Sequence, residues 1–157
     1  MKKLFFLLLT LPLMLLGCSS GSDVTLHSFD NSVLKEQTKE QSFQPELPTK
    51  VPFKVTDAQF SPPPKQDTVL TFDFYSQGES NNHLSLMVVK GKIASTEREF
   101  EEVEIGDEKG GYAVNGAGAQ TLKWSKGDVD YALTYFAKQS DDQISKEQLI
   151  ETAKSFE

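Results

Sequence analysis

The stretch Val69–Tyr75 reads VLTFDFY, and from Leu70 onward apolar residues alternate with polar or amphipathic ones. Leu70, Phe72 and Phe74 fall on one face of a strand, because successive side chains of a strand point to opposite sides. One face therefore packs into a core while the other remains accessible to solvent. This pattern is typical of an antiparallel sheet.

The alternation continues on both sides of this strand. After a polar turn over positions 77–82, Leu84, Leu86 and Val88 again share one face, which predicts a hairpin with the first strand. The stretch Val129–Phe136 carries apolar side chains on both faces toward its end, as a central strand does. An edge strand is expected over Pro52–Phe60, since the prolines that follow cannot join a ladder.

The last element is predicted to be a helix that begins after Ser145. Ser145 and Gln148 have the spacing of a capping box, and Ile144 and Leu149 have that of a hydrophobic staple. The helix presents an apolar stripe that must dock on the sheet. We therefore expect an α+β fold, with a curved antiparallel sheet of about five to seven strands and a C-terminal helix packed on it.

Composition limits the class of protein. The chain has 157 residues, of which 38% are hydrophobic and 25% charged, so it fits one modest folded domain. Its formal net charge is −7, and a negatively charged chain is repelled by a phosphate backbone. Nucleic acid is therefore not expected as a partner.

The N-terminus indicates export. Two lysines precede the apolar run Leu4–Leu16, which is shorter than the roughly 20 residues of a membrane span and is typical of a secretory leader. The run ends in Leu15-Leu16-Gly17-Cys18, which resembles the lipobox of bacterial lipoproteins. Cys18 is the only cysteine, so no disulfide within the chain competes for it.

The lipobox resemblance implies a division of the chain and a location. Residues 1–17 would be a signal peptide, and Cys18 would carry diacylglycerol with acyl chains such as palmitate. More than one acyl chain gives stable anchoring, so the membrane is an expected partner through Cys18, at the outer face of the bacterial cytoplasmic membrane. Ser19 after Cys18 is also compatible with sorting to the outer membrane of a two-membrane cell, and only the resemblance of the following domain favours a single membrane. Residues 18–50 are polar and are expected to form the lipidated Cys and a flexible tether, and 51–157 the extracytoplasmic domain. A short helix within 32–41 is the alternative for part of the tether.

The domain also resembles a family of extracytoplasmic domains of unknown function, found in Gram-positive lipoproteins and on the outer side of anti-sigma regulators. The matching positions are Leu47-Pro48, Pro52-Phe53, Leu84-Ser85-Leu86, Trp124, Tyr131-Ala132-Leu133, Leu149-Ile150 and Ala153-Lys154-Ser155. The resemblance implies a helix packed on a curved antiparallel sheet. The domain is also similar, more distantly, to periplasmic lipoprotein-carrier folds that hold acyl chains. The sigma-binding segment and membrane span of the anti-sigma members have no counterpart in this sequence.

No pattern of catalytic or metal-binding residues emerges. His27 and His83 lack a second ligand at metal-binding spacing, and the lone cysteine is assigned to lipid. The acidic run Glu97–Glu108 does not match a calcium loop and is interpreted as a solvated face. We therefore expect no enzyme activity, no metal and no cofactor.

Aromatic residues support two interpretations. If the helix covers only part of the sheet, an apolar groove remains that could hold a lipid or a peptide; otherwise the same residues form the core. The candidate groove residues are Phe72, Phe74, Trp124, Tyr131 and Tyr135. The expected function is that of a binding or scaffold domain for an envelope protein. The alternative is a lipid-carrier or ligand-sensing module for a small apolar ligand.

Overall fold

A computed structural model of the chain describes residues 24–61, 68–78, 81–94, 98–136 and 143–157. The predicted leader (1–17) and Cys18 lie outside these residues. In chain order the elements are β1 (His27–Ser28), α1 (Ser32–Gln37), β2 (Lys50–Val51), β3 (Asp57–Ser61), β4 (Val69–Tyr75), β5 (His83–Lys90), β6 (Glu101–Ile105), β7 (Glu108–Val114), β8 (Gln120–Lys126), β9 (Val129–Phe136) and α2 (Lys146–Lys154).

In the described residues, β3 to β9 form one seven-stranded antiparallel sheet. Its order is β3-β4-β5-β9-β8-β7-β6, so β3 and β6 are the open edges. Strand β9 lies in the centre, as its apolar character predicted, and pairs with β5 on one side and β8 on the other. The predicted α+β class, with a helix packed on an antiparallel sheet, is confirmed.

One face of the sheet, which we call the inner face, carries the core. Leu70, Phe72 and Phe74 of β4 are fully buried on it, and they lie beside Leu84 and Leu86 of β5. The opposite side, the outer face, carries the intervening residues of each strand. Elements β1, α1, β2 and α2 pack over the inner face, and we call them together the covering layer.

Helix α2 begins as predicted. The Ser145 hydroxyl accepts a hydrogen bond from the Gln148 backbone N–H (3.1 Å), and the Gln148 side-chain oxygen accepts one from the Ser145 N–H (2.9 Å). The buried face of the helix is formed by Leu149, Thr152 and Ala153. Ile150, the residue after Leu149, is half-buried.

The prediction of a flexible tether is wrong for residues 24–50, which are folded against the domain. Leu34 in α1 is 2% exposed, and Phe29 contacts the edge of the Phe74 ring at 5.2 Å between centroids. The Asn31 side chain donates to the carbonyls of Leu47 and Pro48. The segment is polar on average, but its few apolar residues reach the distant inner face, so composition alone misjudged it. The domain therefore begins well before residue 51.

Candidate functional site

The candidate groove residues all belong to the core. Their exposed fractions are 0% for Phe72 and Phe74, 6% for Trp124, 3% for Tyr131 and 1% for Tyr135. Side chains of the covering layer occupy the space above them. Of the two interpretations of these aromatics, burial supports the core.

Phe156 packs against two aromatic rings of the inner face. Trp124 and Tyr131 stack with 5.0 Å between ring centroids, and Phe156 meets both rings edge-on at 5.1 and 5.7 Å. The Tyr131 hydroxyl oxygen accepts a hydrogen bond from the Glu46 backbone N–H (3.3 Å). Burial, helped by the nearby Glu46 carboxylate, raises the pKa of Tyr131 and keeps its phenol neutral.

The outer face carries an open cleft of about 350 Å³ over β7, β8 and β9. Phe100 crosses this face because Gly111 has no side chain: a Cβ there would lie only 2.9 Å from the Phe100 Cβ. The Lys123 ammonium lies 4.7 Å from the centre of the Phe100 ring, a cation–π contact. Among the described residues no carboxylate lies within salt-bridge distance of the Lys123 ammonium.

Asp130 forms a second wall of the cleft. Its carboxylate accepts hydrogen bonds from the Ser125 hydroxyl (2.7 Å), the Ile93 backbone N–H (2.9 Å) and the Lys92 ammonium (3.1 Å). Burial by itself favours the protonated acid, but these bonds and the Lys92 charge outweigh it, so the pKa of Asp130 lies below its usual value. Asp130 thus fixes the strand connection at Lys92 and Ile93 against the sheet.

A row of three rings lies elsewhere on the outer face. His83 is stacked between Tyr75 and Phe136, with 4.6 and 4.8 Å between ring centroids. The His83 Nε2 lies 2.8 Å from a carboxylate oxygen of Asp73. Phe136 is 42% exposed, so the row ends in an apolar surface that solvent reaches.

The acidic run is exposed where the structure describes it. Glu101, Glu102 and Glu104 of β6 all face solvent, and Lys146 and Lys109 pair with the first two. In the described ranges, no group of three or more His, Cys, Asp or Glu side chains could hold a metal ion. His27 is on β1 and His83 on β5, in different sheets.

Sequence reasoning missed the cleft and the ring row. Phe100, Gly111 and Lys123 lie on neighbouring strands or beside them, so only the strand register brings them together. The Gly110-Gly111 pair was the one available signal, since glycine within a strand often marks a close approach by other atoms.

No helix of the described residues combines the length and apolar character needed to cross a bilayer. Comparison of the chain with protein-family models, curated proteins and solved structures gives no significant match.

Proposed function

We propose that the protein is a non-catalytic, lipid-anchored binding or scaffold domain of the bacterial cell envelope. Cys18 would hold it on the outer face of the cytoplasmic membrane. The charged start, short apolar run, small residue and lone cysteine support the anchoring.

The binding role is supported by the packing of the inner face. A carrier needs space between sheet and helix for its ligand, and here the protein's own side chains take up most of that space, with Phe72, Phe74 and Leu149 fully buried. The cleft that remains among the described residues, between the β6–β7 turn and the end of α2, has a volume of about 220 Å³ and is smaller than the sites that usually hold a ligand. A partner is therefore expected on the outer face. The same observation ranks the lipid-carrier alternative second.

The outer face offers chemistry suited to a protein segment. Its cleft combines an aromatic ring, Phe100, with the ammonium of Lys123 that lies over it, and its volume of about 350 Å³ is at the small end of binding sites. Aromatic and cationic side chains of this kind bind apolar and carboxylate groups of a partner. We expect an acidic or aromatic segment of an envelope protein to bind there.

The anchoring is tested in cells with the Cys18→Ser variant. The parent chain should incorporate labelled palmitate and remain in the membrane fraction, and the variant should lose both properties. Equal labelling and equal membrane retention in the two chains would refute the anchor.

The choice between binding domain and carrier is tested by native mass spectrometry of the lipidated chain. A mass equal to that of the lipidated protein alone, in repeated preparations, supports a closed domain. An additional acyl species bound without covalent linkage would favour the carrier.

The partner-binding surface is tested by charge reversal. Lys123→Glu should weaken partner recovery in membrane extracts, because it places a carboxylate where an acidic partner is expected to bind. Lys54→Glu, an exposed lysine between β2 and β3, is the matched control with the same change in net charge. Equal effects of the two variants would reject the outer-face cleft as the binding surface.

A further inference from the structure

We propose that the covering layer faces the lipid bilayer and that the outer face of the sheet points away from it. The partner of the covering layer is thus the headgroup surface of the membrane. This orientation rests on the proposed lipidation of Cys18.

The position where the folded chain begins is fixed within the covering layer. In β1, His27 pairs with Val51 and Ser28 with Lys50 of β2. One step earlier, the Gln148 side-chain amide of α2 donates to the Thr25 carbonyl oxygen (3.0 Å). The first described residues are therefore held beside α2, on the side of the sheet opposite the outer face.

The chain between the anchor and this point is short. Only positions 19–23 separate Cys18 from Val24. Whatever its conformation, a connection of this length spans at most about 20 Å. A lipid at Cys18 would therefore keep Val24 within about 20 Å of the headgroups.

This reach is smaller than the molecule. A domain of about 130 residues has a radius of gyration of about 14 Å, which corresponds to a sphere about 36 Å across. The connection would have to run around the domain to bring the outer face to the bilayer, and it is too short to do so. The cleft with Phe100 and Lys123 consequently points away from the membrane, where the proposed envelope protein can reach it.

Side chains near the start of the chain are compatible with headgroups. Val33 of α1 is 65% exposed and Lys50 of β2 is exposed. The aliphatic part of a lysine side chain can pack beside apolar groups while its ammonium stays in water. Helix α1 carries one cation, Lys35, and one anion, Glu36, so it has no net charge, and tether length rather than strong electrostatic attraction sets the orientation.

Fluorescence quenching at single cysteines tests the orientation. A Cys18 thiol converted to a thioether is not labelled, so Val33→Cys and Ser85→Cys each provide one dye site, on the covering layer and on the outer face respectively. The lipidated full-length chain is reconstituted in phosphatidylglycerol–phosphatidylcholine vesicles that contain a headgroup spin label. Because the two sites lie on opposite sides of a domain about 36 Å across, we expect quenching at position 33 to exceed that at position 85 by about twofold or more.

A lengthened connection is the matched control. Insertion of a long Gly-Ser segment between Ser22 and Asp23 leaves the described residues unchanged and should bring the two quenching values together. Equal or reversed quenching in the chain of natural length, with the lipid mass present and the protein bound to vesicles, would overturn the orientation alone. Absence of lipid mass would overturn the orientation together with the proposed anchor.

Discussion

Single side chains decide how the outer face is built, and Asp130 is the clearest case. In the sequence, Asp128 and Asp130 are interpreted as residues that shape a turn and its strand. In the structure Asp130 accepts a hydrogen bond from Ser125 across the β8–β9 turn, and it also holds Lys92 and Ile93, which are distant in sequence, against β8 and β9. No local sequence pattern predicts such a contact, because the contact depends on the register of the strands.

Replacement of this carboxylate should give a pH-dependent loss of stability. The folded-state pKa of Asp130 is lowered, so the carboxylate stabilises the fold above the unfolded value of about 4 and this contribution disappears as pH falls through the folded value. Asp130→Asn should lower the free energy of unfolding at pH 7 by about 1 to 3 kcal/mol. Denaturant unfolding at pH 7 and at pH 3 measures the difference.

The difference in unfolding free energy between parent and Asp130→Asn should be smaller at pH 3, because below the unfolded value of about 4 the contribution of the Asp130 carboxylate is being lost, whereas Asn carries no charge at any pH. Asp128→Asn, an exposed change two residues away, is the control and should have little effect. A gap that is equally large at both pH values would contradict the role assigned to the carboxylate.

Two glycines differ in what an added methyl group would meet. A Cβ on Gly110 would lie 2.7 Å from the Lys123 carbonyl oxygen and from the Ile105 side chain, whereas one on Gly116 meets nothing within 4 Å. Gly110→Ala should cost about 1 to 3 kcal/mol through overpacking. Gly116→Ala should change stability by less than about 1 kcal/mol. The midpoints of thermal unfolding of the two variants measure the difference. Equal midpoints would mean that β7 and β8 can move apart at Gly110 without loss of stability.

At the scale of elements, the sequence predicted α2 well and α1 poorly. Helix α2 has its own start signal at Ser145 and Gln148 and a buried stripe, both readable without tertiary structure. Helix α1 is short and its Asn31 N-cap makes no side-chain capping bond, so its stability comes from packing of Leu34. Local signals therefore identified one helix and gave only weak support to the other. The predicted edge strand also differs from the observed one. Strand β3 begins at Asp57 rather than at Pro52, because the chain at Val51 and Phe53 packs into the core instead of extending the strand.

Helix α1 offers a matched pair of substitutions. Leu34 is 2% exposed and its neighbour Val33 is 65% exposed. Leu34→Ala should lower the free energy of unfolding by about 2 to 5 kcal/mol, as other buried leucines do. Val33→Ala should change it by less than about 0.5 kcal/mol. Denaturant titrations measure both values, and similar small effects would mean that α1 does not contribute to the core.

At the scale of the whole molecule, the sequence predicts the class of fold but not the sheet order. Alternation in β4, β5 and β9 identifies strands and their inner faces. Alternation does not show that β9 pairs with β5, because this pairing joins two groups of strands, β3 to β5 and β6 to β9, that are separate in sequence. The filled inner face was foreseen as one of two interpretations, whereas the outer cleft depends on register and could not be predicted.

Removal of the N-terminal covering segment should destabilise the whole domain. A chain that begins at Leu47 lacks Phe29 and Leu34 and exposes the Phe74 region that they cover. We expect a lower unfolding midpoint than for a chain that begins at Val24, and faster hydrogen exchange in β4. Identical midpoints would restore the interpretation of residues 24–46 as a tether.

The central position of β9 has a consequence for the order of folding. Strands β3 to β5 form one local meander and β6 to β9 another, and only the pairing of β5 with β9 joins them into one sheet. During synthesis from the N-terminus, β9 becomes available after all the other strands of the sheet, just before α2. Short-range pairs form quickly whereas long-range ones wait. The complete seven-stranded sheet can therefore form only when nearly the entire polypeptide is available.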